Sequence, residues 1–130
     1  MKTELLYLAA ATAWTGVLWI PYILDRVVRW GLVPAVSYPA NPPAQSPWAQ
    51  RLMRAHANAV ENLVVFATLV LVANALGVTG GTVAAASVLY FWARVVHTLA
   101  YTFAVPWVRT LAFVAGFVAQ AMVALQILGH

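Results

Sequence analysis

The sequence predicts an all-α integral membrane protein, a single bundle of four spanning helices. Three observations carry that prediction. Of the 130 residues, 64% are hydrophobic and only 8% are charged, whereas a soluble domain carries about 25% charged residues. The apolar residues come in long runs, the first of which, Leu5 to Leu24, has no charge over 20 residues. Proline clusters between the first two runs and glycine between the second and third. So few charges cannot cover a water-facing surface, which excludes a soluble globule and a disordered chain. The chain has no cysteine, so disulfide and Cys-zinc frameworks are excluded too.

Each element follows from the same reading. A first helix over about 4–29 contains the charge-free run, long enough to cross the hydrocarbon core. It is too long for a signal-peptide core, and Trp14, Trp19 and Tyr22 continue past any cleavage point. Residues 31–46 hold Pro34, Pro39, Pro42 and Pro43 with Ser37, Asn41, Gln45 and Ser46, and read as one long polar loop. Ser46-Pro47 reads as a helix restart, with Ser46 as N-cap and Pro47 in the first turn. A second helix runs over about 47–76, ended by Gly77 and the Gly80-Gly81 pair. A third covers about 82–104, and Pro106 separates it from a fourth over about 106–129. Short connections make the last three antiparallel neighbours. Arg26, Arg29, Arg51 and Arg109 lie on the loop side, with Lys2 on the other. The positive-inside rule then puts the loop in the cytoplasm and both termini outside. The net charge of +4 belongs to this bias. No basic run points to nucleic acid.

Polar residues inside the spans are the functional signal. Arg51, Arg54, Asn58, Glu61 and Asn62 fall within an arc of about 100° on the second helix. Tyr90, Arg94, His97 and Tyr101 fall within about 60° on the third. Intramembrane charges are unfavourable and normally face the bundle interior, paired. Arg109 and Thr110 open the fourth helix, with Phe113 and Gln120 on the same side. Four of these residues are arginines, against the single acid Glu61. A self-sufficient ion-pair network, with Arg94 or Arg54 neutralised by Glu61, is the structural alternative. The surplus of arginine favours an anionic ligand instead, because an unpaired buried charge is strongly unfavourable and arginine forks suit carboxylates. Tyr90 reads as an aromatic-belt residue and His56, about 140° from Arg51, as a packing or interfacial histidine. The three histidines are scattered, so no metal site is expected. Two polar stripes on one small protomer need cover from lipid, which predicts a homotrimer with the stripes at its interfaces.

The segment Arg54-Ala55-His56-Ala57-Asn58-Ala59-Val60-Glu61, with Arg94-Val95-Val96-His97-Thr98-Leu99-Ala100-Tyr101 and the later Pro106 and Arg109-Thr110, resembles the helix signatures of the MAPEG family, the membrane-associated proteins in eicosanoid and glutathione metabolism. Length, four spans and the long first loop match as well. The resemblance implies a homotrimer binding glutathione between protomers near the cytoplasmic side, with no metal. It implies Arg54, Asn58, Glu61, Arg94, His97 and Tyr101 as ligand-holding residues. Arg109 would stabilise the thiolate, with Thr110 beside it. Arg26 and Arg29 are further candidates by position, and Arg51 by its place on the stripe. Ala57 and Phe113 depart from the prostaglandin-synthesising pattern, in which an arginine and a tyrosine stand there, and this argues against that reaction. The short, alanine-rich chain is similar to bacterial members, which implies an inner membrane. The implied function is a membrane-bound glutathione-dependent transferase or peroxidase acting on a lipophilic electrophile that arrives through the lipid. A non-catalytic trimer binding an anionic thiol or lipid is the second reading, and a small carrier the third. Aryl-halide conjugation separates the first two, and liposome exchange separates the third.

Overall fold

A computed structural model describes residues 2–78 and 80–130. Its elements are α1 (Thr3–Val17), α2 (Trp19–Trp30), α3 (Leu32–Ala35), α4 (Pro47–Ala75), α5 (Gly81–Thr102) and α6 (Pro106–Leu128), with no strand among the described residues. Four stretches are long and apolar enough to cross a membrane: Thr3–Trp30, Pro47–Ala75, Gly81–Thr102 and Pro106–Leu128. This is an all-helical, multi-pass integral membrane bundle.

The first span differs from the single helix over 4–29 that its composition suggests. It breaks at Leu18 into α1 and α2. Pro21 supplies the reason, since it has no N–H for the carbonyl of Val17 and its ring crowds that oxygen. The loop over 31–46 is also not wholly irregular. Gly31, at φ 84, ends α2, and one short helix, α3, follows around Pro34.

Helix α5 lies at the centre, packed against α1, α4 and α6. Away from the long loop the core is mainly apolar, with Glu4 and Ser87 as its buried polar members. Phe66 and Tyr90 stack there at 3.8 Å with planes 7° apart, among Val70, Val83, Ala86, Ala119 and Val123. Tyr90 is therefore a core residue and not part of an aromatic belt, being only 1% exposed. Towards the loop the interior turns polar, with Arg94, His97, Thr98, Thr102 and Gln120 all buried.

Helices α4 and α5 end in the same way. After α4, the Val78 N–H donates to Ala73 O at 2.8 Å and the Gly77 N–H to Asn74 O at 3.2 Å. After α5, the Val105 N–H donates to Ala100 O at 2.8 Å and the Ala104 N–H to Tyr101 O at 3.3 Å. This is the Schellman pattern, which places one residue in the left-handed region. That residue is Gly77 (φ 73) in the first case and Ala104 (φ 59) in the second.

Candidate functional site

Helices α4, α5 and α6 bring Asn58, His97, Tyr101, Arg109, Thr110 and Phe113 around one cleft of about 310 Å³. Arg94 stands behind it on α5. Its Nη2 donates to Asn58 Oδ1 at 2.6 Å. Its Nε and Nη1 are buried without a hydrogen-bond partner, although the residue is only 3% exposed. Gly116 of α6 faces this arginine, and a Cβ there would lie in ordinary contact, 3.5 Å from Arg94 Cδ. The His97 ring meets Tyr101 edge-on at 5.7 Å and Phe113 at 6.1 Å, and its Nδ1 is also buried and unpartnered. The Arg109 guanidinium lies 4.9 Å from the centre of the Tyr101 ring, and the Thr110 hydroxyl donates back to Pro106 O at 3.2 Å.

Chemically the cleft is a set of donors. Arg109, Tyr101 and Asn58 line it with no acidic side chain among the lining residues. Such a surface attracts an anion, and the orphaned N–H groups of Arg94 behind it add to that field. Arg94 is bound to Asn58 and not to Glu61, so the internal ion pair considered from the sequence does not form at this residue.

Other predicted ligand residues lie elsewhere in the chain. Arg54 is exposed and lines a separate hollow with Gln50, Met53 and Ala57. Glu61 is exposed on α4 and does not line the cleft. Arg51 lines a neighbouring cleft and is tied by its Nε to Thr102 O at 2.9 Å. Gln120 donates to Asn62 O at 3.2 Å deeper between α4 and α6.

Arg26 and Arg29 hold the loop. Arg26 Nε donates to Gln45 Oε1 at 3.0 Å and Arg29 Nε to Ser46 Oγ at 3.1 Å. Between them lies Asp25, buried, which accepts from Ser46 Oγ at 2.6 Å, Ser46 N at 3.0 Å and Gln45 Nε2 at 3.2 Å. Ser46 does stand at the N-cap position of α4, but its side chain makes no cap hydrogen bond, because its hydroxyl is given to Asp25. The sequence shows Asp25 only as a flanking charge; a lone acid 20 residues before a Gln-Ser pair is too weak a signal to reveal the clasp. His56 completes this side, its Nδ1 sharing a 2.9 Å hydrogen bond with the Tyr22 hydroxyl, so it packs α4 against α2.

The arrangement of an anion-attracting cleft between three spanning helices accords with a family match. The MAPEG family model matches residues 6–129. The chain belongs to the MAPEG family. A comparison with curated proteins finds no match. Membership covers nearly the whole chain, and so takes in α4, α5 and α6 and every residue of the cleft. It supports a membrane protein of glutathione-related chemistry in general, with no one reaction singled out. Among the described residues no group of three His, Asp or Glu side chains is placed to hold a metal ion.

Proposed function

We propose that the protein is a membrane-bound glutathione-dependent transferase or peroxidase that acts on a lipophilic electrophile. The observation that supports this best is the convergence of Asn58, His97, Tyr101 and Arg109 on one cleft without an acidic lining residue. The donor set fits glutathione, which has two carboxylates and a thiol, and the unpartnered Arg94 and His97 nitrogens are the kind of groups such a ligand completes. Bound there, glutathione supplies a thiolate nucleophile.

The residues divide the work. Asn58, held from behind by Arg94, takes a carboxylate or amide at the inner end, while Tyr101 and His97 fix its position. Arg109 holds negative charge at the cleft mouth. A cysteine-type thiol has a pKa of about 8.5, and a cation within a few ångströms lowers it. Thr110 is secondary, because its hydroxyl hydrogen is engaged by Pro106 O.

Arg54 and Glu61 enter the same reading through assembly. As exposed charges on a spanning helix they need partners away from lipid, and a homotrimer turns α4 of one copy towards the cleft of the next. The loop side, with Arg26, Arg29, Arg51 and Arg109, then faces the cytoplasm of an inner membrane, where the thiol is met from water and the electrophile from the lipid.

Purified protein in nanodiscs should conjugate glutathione to an aryl halide, or reduce a lipid hydroperoxide with it, and should have the mass of a trimer. No turnover of either substrate by a protein that binds glutathione would leave the second reading, a non-catalytic thiol binder. One observation favours that reading: with Thr110 bonded to Pro106 O and Phe113 in the lining, Arg109 has little help in holding a thiolate.

A further inference from the structure

A second, smaller cleft of about 190 Å³ adjoins the first and is lined by Arg51, Ala100, Tyr101, Ala104, Val105, Pro106 and Arg109. Tyr101 and Arg109 line both clefts, so their 4.9 Å cation–π pair forms the partition. The second cleft lies at the loop end of the bundle, where α5 ends, α6 begins and the first turns of α4 pass.

Its chemistry is more one-sided than that of the first. Arg51 is fixed through Nε to the Thr102 carbonyl at 2.9 Å, which leaves its two terminal nitrogens to face a ligand. Arg109 supplies the second guanidinium. No acidic residue lines the cleft. The start of α6 adds to this field: its N-cap, Val105, makes no side-chain cap hydrogen bond, so the uncapped N–H groups and the positive end of the helix dipole lie beside the two arginines. Two forked cations on different helices, one tied to Thr102 O and the other resting on the Tyr101 ring, suit a tetrahedral oxyanion, which offers an oxygen to each. We infer that this cleft is a binding site for a phosphate group, distinct from the thiol cleft, with Arg51 and Arg109 as its ligands. The phosphate comes either from a phospholipid headgroup reaching in from the membrane surface or from a free phosphate ester in water.

The test is calorimetric titration of the intact protein in an uncharged detergent with three probes: dioctanoyl phosphatidylglycerol, inorganic phosphate and uncharged dioctanoylglycerol. The phosphate-bearing probes should bind and dioctanoylglycerol should not. Much tighter binding of phosphatidylglycerol than of phosphate assigns the site to a lipid headgroup, and equal binding assigns it to a free phosphate ester. Arg51→Gln should weaken both by about tenfold or more. Val105→Asp keeps both arginines and places a carboxylate at the α6 N-cap, a favourable position for Asp. It should fold at least as well as wild type and lose phosphate binding, which keeps the test decisive if Arg51→Gln misfolds. Phosphate-bearing probes that bind no better than dioctanoylglycerol, or Val105→Asp binding like wild type, would overturn the site. The outcome does not depend on whether the protein turns over a thiol.

Discussion

Two groups of arginines sit at the same end of the bundle and meet opposite surroundings. Arg26 and Arg29 reach acceptors on the long loop, and the buried carboxylate of Asp25 balances them at the centre of that clasp. Arg94, in contrast, has one neutral acceptor and two orphaned donors, and Arg109 leans on an aromatic face. The clasp is a completed polar network; the cleft is an incomplete one. A completed network contributes to stability and fixes a loop, whereas an incomplete one in a low-dielectric interior keeps its attraction for something that is not part of the chain. The contrast assigns structure to the first pair and ligand chemistry to the second.

The sharpest way to break this comparison is to remove the centre of the clasp. Asp25→Ala takes the acceptor from the Ser46 hydroxyl and N–H and one of two acceptors from the Gln45 amide, at about 1–3 kcal/mol for each buried group left unsatisfied, and it leaves the two arginines without the carboxylate that balances them. Thermal unfolding in detergent should show a larger loss than for Arg109→Ala or Asn58→Leu, with glutathione affinity of the folded fraction close to wild type. Loss of affinity without loss of stability would mean that the clasp is part of the site.

The converse variant is Arg109→Ala. The side chain is exposed, so stability should barely change. The thiol of bound glutathione, followed by thiolate absorbance against pH, should titrate about one pH unit higher, which is about tenfold less thiolate near neutral pH. The sign follows from the charge: a nearby cation favours the thiolate, so its removal raises the pKa. Thr110→Val should shift the curve less, and Arg26→Ala not at all. An unchanged curve in Arg109→Ala would remove the proposed mechanism.

Asn58→Leu tests the join between stability and binding. It removes the one acceptor of Arg94 and so leaves the guanidinium with no partner. A loss of about 1–3 kcal/mol is expected, with weaker thiol binding. Added glutathione should recover part of the thermal stability in wild type and less of it in the variant.

Much of this was legible in the sequence, and the remainder has a physical reason for being hidden. Charge-free runs and proline clusters locate the spans, because hydrocarbon tolerates few exceptions. Helical spacing likewise puts Asn58 on one stripe and His97 and Tyr101 on another, and the structure brings both to one cleft with Arg109 and Thr110. Spacing does not say which acceptor each cation meets. Arg26 and Arg51 are equally basic in the sequence, yet one bonds Gln45 across 19 residues and the other Thr102 across 51. Nor does it reveal the break at Leu18, where the effect of Pro21 is felt one turn earlier, or the left-handed turn at Ala104. Tyr90 shares its stripe with Arg94 and His97 but meets Phe66 in the apolar cluster, so a common face on one helix does not mean a common environment.

The smallest expected effect concerns that turn, and it separates strain from charge in the same cleft. Gly77 and Ala104 occupy the same place in the same hydrogen-bond pattern, but only the glycine adopts a positive φ without steric conflict between Cβ and backbone. Ala104 costs roughly 1–2 kcal/mol there, partly offset because alanine has less freedom to lose from the unfolded chain. Ala104→Gly should therefore stabilise the protein by about 0.5–1 kcal/mol, seen as a modest rise in unfolding temperature. Ala104 also lines the cleft between Arg51 and Arg109, and strain of this kind often holds a site in its working geometry. If it does so here, the more stable variant should bind phosphate more weakly, because the turn that sets the distance from Thr102 to Arg109 has become free to relax. Higher stability with unchanged binding would show that the turn only ends a helix. Lower stability would show that the Ala104 side chain makes a contact worth more than the strain it carries.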